Sequence, residues 1–282
     1  MLNRWIGFGC VFLMLVGNAT LFVRDVLPGL VVGEPPDPWC MLPADEERCA
    51  QVGIFDSANR LVGRSWTLAR AQGEFVKVES VTRLYPIQLP EELVTPHLRI
   101  DVDMLYRSAD ALVDELVMVI RGLPAVVELR GELITLEEFA CKWRVGVPGS
   151  GPSGRLVLDA QATRALGQVL RPFSRLPGLR VGQTWRLELL DPLAHVIQGF
   201  KSPEILAEPQ IVRVSGVETI THRGRKVEAF VVETRQTRAW VAPDGTVLRQ
   251  EVELPLLGKL LLRDEPFDRL AYEEGRRWSG SP

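Results

Sequence analysis

A chain of 282 residues that is 46% hydrophobic can build one sizeable core or two small ones, and its net charge of −3 gives no electrostatic reason to expect a nucleic-acid partner. Arginine alternates with aspartate and glutamate along the chain, so no single-sign block marks a polyanion-binding tail. The histidines, His97, His195 and His222, lie far apart, and neither a metal nor a cofactor is expected.

Trp5 to Val23 carries no charge and is flanked by Arg4 and Arg24. At about 1.5 Å per helical residue this run can span a hydrocarbon core of about 30 Å. It reads as an uncleaved signal anchor, residues 1–26. The competing reading is a cleaved signal peptide with Gly17 and Ala19 as its small residues. The anchor is favoured because Leu21, Phe22 and Val23 prolong the apolar run. The positive-inside rule then puts the N-terminus in the cytoplasm and the remainder in the periplasm, as a single-pass membrane protein. Residues 27–56 are rich in proline and acids and read as a stalk, because proline removes backbone donors and disfavours helix before it. Cys40 and Cys49 lie in this stalk, where an oxidising compartment would let them pair.

From residue 57 to 264 the hydrophobic period is mostly two, which predicts an antiparallel β domain. Two strands meet at Ala71-Gln72-Gly73. His97–Arg107 alternates cleanly, with Leu98, Ile100, Val102, Met104 and Tyr106 on one face. Leu112–Ile120 fits helix or strand; its β-branched end and Gly122 favour strand. Phe139, Cys141, Trp143 and Val145 share one face of a further strand. A loop at 146–154 precedes a helix near 159–171, with Asp159 as its N-cap and Ala162, Ala165, Leu166, Val169 and Leu170 as its apolar stripe. Strands return at 211–220, 227–234, 237–241 and 246–254, with Ala242-Pro243-Asp244-Gly245 as a hairpin turn. In the last of these, Val247, Arg249, Glu251 and Glu253 are expected on the wet face. Residues 265–282 read as a polar tail.

Val62–Leu68 and Val181–Leu187 share the pattern V-G-x-[S/T]-W-x-L, and each opens a β-rich stretch, so the domain reads as two β units around a helix. The stretches Leu176–Leu187, Val214–Ile220 and Arg238–Arg249 give residues 155–262 a resemblance to bacterial DUF3108-like envelope proteins. They also look like the non-catalytic β region that precedes transglutaminase-like domains in bacterial membrane proteins. The resemblance implies a curved, half-barrel-like antiparallel sheet around a helix. It implies no catalytic residue.

Three functions are weighed. The first is a non-catalytic, membrane-anchored domain binding a hydrophobic small molecule, a lipid or another envelope component. Its cavity would be lined by Trp66, Trp143, Leu166, Val169, Leu170 and Trp185. The second is an interaction domain with a filled core, assisting a separate envelope or transglutaminase-like protein. The third is a hydrolase using Asp101 and Asp103, one face of a strand apart by about 7 Å, or Cys141 with a histidine. His195, four residues after Asp191, reads as a loop histidine. No P-loop, nucleophile elbow, zinc-protease or dinucleotide motif occurs.

Overall fold

The computed structural model describes residues 46–86, 97–110, 112–122, 126–146, 151–160, 175–187, 210–254 and 258–277, with Met14 and Pro36 alone before them. The expected membrane segment, Cys40 and the helix from residue 161 onward, including Leu166, Val169 and Leu170, lie outside the described residues. Among the described residues no helix is long and apolar enough to cross a membrane.

Among the described residues, alternation of apolar and polar side chains produces fourteen strands in one antiparallel sheet. The N-terminal meander is β1 (Glu47–Phe55), β2 (Leu61–Gln72), β3 (Phe75–Leu84), β4 (Leu98–Arg107), β5 (Val113–Arg121), β6 (Val126–Leu133), β7 (Glu138–Gly146) and β8 (Ser153–Asp159). The C-terminal one is β9 (Thr184–Leu187), β10 (Gln210–His222), β11 (Arg225–Glu233), β12 (Thr237–Val241), β13 (Val247–Leu254) and β14 (Gly258–Glu265). A helix, α1 (Arg269–Arg277), follows. Every pairing of named strands joins two that are consecutive in sequence, apart from one seam where β1 pairs with β14. The sheet is not closed: β8 and β9 are its edges.

The order corrects three expectations. Residues 47–55 are not stalk but a central strand, paired on both sides. The polar tail contains α1, capped by Asp268, whose carboxylate accepts from the Ala271 amide at 3.0 Å. Asp159 closes β8. The sheet strand at 153–159 replaces the end of the expected loop.

Strand parity divides the sheet into two faces. Along the register, Ile100, Val102, Met104 and Tyr106 lie with Val78, Met118, Val127, Phe139 and Cys141 on an inner face, most of it below 6% exposure. On the C-terminal half this face continues through Trp185, Val212, Val214, Val232, Ala239 and Val241, against which Leu176 and Leu179 pack. Between the halves, Val52, Ile54, Leu260 and Leu262 join them.

The sheet also curls. Beyond the end of β12 the β10–β11 hairpin bends back until Arg223 at its tip donates to Asp264 of β14 at 2.9 Å. A flat sheet would separate those strands by three spacings, about 14 Å. The register shift between Val214 and Gly216 supplies the bend.

Candidate functional site

Parity settles where the proposed cavity residues sit. Trp185 (1% exposed) and half-buried Trp143 lie on the inner face. Trp66 lies on the outer one, because its register partners are Gln51, Val81 and, through Val81, Asp101. The three tryptophans therefore cannot line one cavity. The sequence echo has the same outcome: Val62 is buried inside β2, whereas Val181 is 58% exposed in the turn before β9. The two copies share a pattern and occupy different environments.

Polar side chains on the inner face of β2 and β3 satisfy one another. Ser65 and Thr82 hydroxyls meet at 2.8 Å, and Thr67 and Ser80 at 3.3 Å. The outer face is charged. A single row across the strands reads Trp240, Arg249, Arg263, Gly53, Arg64, Arg83, Arg99, Arg121. Like charges set opposite each other repel, and each of these arginines is given an acceptor. Arg64 donates to Glu265 at 3.1 Å, Arg249 to Glu251 at 2.6 Å and Arg263 to the Asn59 amide oxygen at 2.6 Å. Asp101 takes both Arg99, at 2.8 Å, and Arg121. Arg238 and Arg249 flank the Trp240 ring at 5.0 and 4.7 Å.

Helix α1 is docked on this face over an apolar patch: Tyr272 packs with Trp66, Leu68 and Val81, joined by Phe267 and Ala271. The rest of its attachment is polar. Gln51 accepts from the Trp66 indole at 2.9 Å and from the Asp268 amide at 2.8 Å. Arg83 donates to the carbonyls of Glu274 and Gly275, at 3.3 and 3.2 Å, so positive charge sits at the C-terminal end of the helix dipole. Arg276 bridges Glu79 at 2.7 Å and Asp103 at 3.4 Å.

These contacts shift two carboxyls in opposite directions. Burial pushes Glu79 up, but its bonds to Lys77, at 3.0 Å, and to Arg276 outweigh that, and its pKa ends below the usual value. Burial raises Asp103, and the more distant Arg276 only partly offsets it. Glu79 therefore contributes stability that is complete above its unfolded pKa, about 4.3, and is lost as pH falls through the lower folded value. Asp103 has the opposite sign: protonation suits its folded site. Glu79→Gln is expected to be less stable than the parent at pH 7, with the gap narrowing below about pH 4. Urea unfolding at the two pH values checks this; a gap that stays constant would contradict it.

The residues weighed for hydrolysis do not converge. Asp101 and Asp103 are on the outer face inside the ion pairs just described. Cys141 is on the inner face, wholly buried, and burial pushes its thiol up to about 12. At neutral pH it is a thiol among apolar side chains rather than a nucleophile. His97 packs edge-on to Tyr85, His222 lies 3.5 Å from Asp264, and His195 is outside the described residues. Cys49 is an exposed free thiol in β1 that donates to Glu47 at 3.4 Å. Among the described residues no group of three or more His, Cys, Asp or Glu could hold a metal ion.

No family model and no curated protein matches the chain. Among solved structures it is similar to a β-barrel-like protein of a domain of unknown function, DUF1849, from Brucella abortus. That alignment covers 79% of this chain and 97% of the other, at 8% identity and a TM-score of 0.42.

Proposed function

We propose that this chain is a non-catalytic binding domain that holds a hydrophobic ligand, such as an acyl chain, against the inner face of a curled sheet. Residues 5–23 tether it to a membrane, with the sheet on the extracytoplasmic side. The observation that carries the reading is the apolar inner face itself, which runs through β3, β4, β5, β6 and β7 while α1, the helix among the described residues, is docked on the opposite, charged face. A twisted sheet of more than about ten strands curls or splits, and the fold-back of the β10–β11 hairpin shows the direction this one takes. In this reading Trp143 meets the ligand. It is half-buried on the inner face and lies against Gly154 in the edge strand, where a Cβ would come within 2.7 Å of its ring.

The test uses the faces. Saturable quenching of tryptophan fluorescence by a dibrominated acyl amide is expected for the full chain. It should survive Trp66→Phe, on the outer face, and be lost in the double variant Trp143→Phe/Trp185→Phe. Absence of saturable quenching would sink the reading and leave an interaction domain with a filled core.

A further inference from the structure

Among the described residues, β12 and β13 place unanswered polarity side by side on the inner face. Gln250, in β13, is 1% exposed, and neither its amide nitrogen nor its amide oxygen has a hydrogen-bond partner among the described residues. Thr237, in β12, is 4% exposed with its hydroxyl oxygen in the same condition. The two are on adjacent strands and on the same face. Thr237 pairs with Val252 and Gln250 with Ala239, so they are diagonal neighbours, about 7–8 Å apart by backbone. This contrasts with the Ser65–Thr82 and Thr67–Ser80 pairs, where each hydroxyl has an answer. Burying an amide without a partner is unfavourable, because the water it gave up is not replaced.

We infer that Gln250 and Thr237 form a polar subsite that takes the uncharged hydrogen-bonding head of an acyl ligand; this rests on the binding reading above. The surroundings select for neutrality. Gln250 lies between Ala239 and Leu262. The nearest acid in register, Asp264, is a diagonal neighbour already bound by Arg223 and His222, and it would repel a carboxylate head. The carboxamide offers both donors and an acceptor, and the hydroxyl either, so a head with both capacities, such as a carboxamide, fits best. Thr237 and Val252 also reach a recess of about 290 Å³ beside the β11–β12 turn, whose other walls include Glu233, Arg238, Glu251 and Lys259 of the outer face; Gln250 does not line it.

The test compares dodecanamide with dodecane as competitors in the quenching assay, on the full chain in phosphatidylcholine nanodiscs. The parent is expected to bind dodecanamide about tenfold more tightly, the worth of one or two neutral hydrogen bonds. Gln250→Leu should bind both equally while keeping its affinity for dodecane, and Thr237→Val should lose part of the preference. Gln250→Met serves if the leucine variant does not fold. Equal binding of both probes by the parent, or a preference that survives Gln250→Leu, would overturn the subsite and leave the binding reading standing. Failure of both probes to compete would overturn the reading and the subsite together.

Discussion

Phe139→Ala is expected to lower the unfolding free energy by about 3–5 kcal/mol. The ring is 0% exposed on the inner face of β7, and it lies across Gly131 on the neighbouring strand. Gly131 has no Cβ because one would overlap the Phe139 ring and come within 3.1 Å of the Cys141 sulfur. The two positions are therefore one packing unit, and their substitutions should not add. Gly131→Ala alone forces the ring aside and destabilises by about 1–3 kcal/mol. Combined with Phe139→Ala it fills part of the space left behind, so the double variant should be more stable than the sum of the singles. A double-mutant cycle in urea reads the coupling directly; strict additivity would show that the two do not share that space.

Gly122→Ala is expected to cost about 2–6 kcal/mol, a backbone strain of about 1–3 added to overpacking of about 1–3. Gly122 follows β5 at φ +99°, and a Cβ there would overlap the carbonyl oxygen of His97, just before β4 begins. The obstacle is backbone, which cannot rotate away as a side chain would, so the β4–β5 pairing must open at that end. Gly73→Ala is the control. It sits at φ +61° in the β2–β3 turn with nothing within 4 Å of its Cβ, and its cost should be about 1–2 kcal/mol. Comparable unfolding midpoints for the two variants would mean that the His97 contact does not matter.

Local alternation makes much of this sheet legible in sequence. His97–Arg107 becomes β4 and Phe139–Val145 most of β7, because one-sided burial leaves a period of two in the residues. Where the reading falls short, the cause lies in another part of the chain. In β13 a register shift at Trp240/Val241 turns Val247 into the core, so the expected wet face of Val247, Arg249, Glu251 and Glu253 is interrupted at its first member. Strand β1 alternates too, with Val52 and Ile54 inward and Gln51 and Gly53 outward, but it follows a proline-rich stretch whose composition dominates the reading. Helix α1 has only Ala271, Tyr272 and Gly275 for a packed face, too little to form alone. It exists because Trp66, Leu68, Gln51 and Arg83 await it on distant strands. The candidate site was legible in part. Alternation puts Trp143 and Trp185 in strands but does not tell that Trp66 faces away from both, and nothing in it points to Gln250, whose isolation exists only once β12, β13 and β14 are side by side.

The seam between β1 and β14 has a consequence for how the molecule assembles. Every other pairing joins consecutive strands and can zip as each hairpin emerges. Gln51 must find Glu265, which is made 214 residues later. Until then the eight-strand meander presents β1 as a bare ladder edge, with Val52 and Ile54 beside it, which is the kind of surface that invites pairing with another nascent chain. Among the described strands the one made last, β14, is thus the one that protects β1, and α1 follows at once to lock it through Gln51 and Asp268. A chain truncated before residue 258 would keep most of its hairpins and lose that protection.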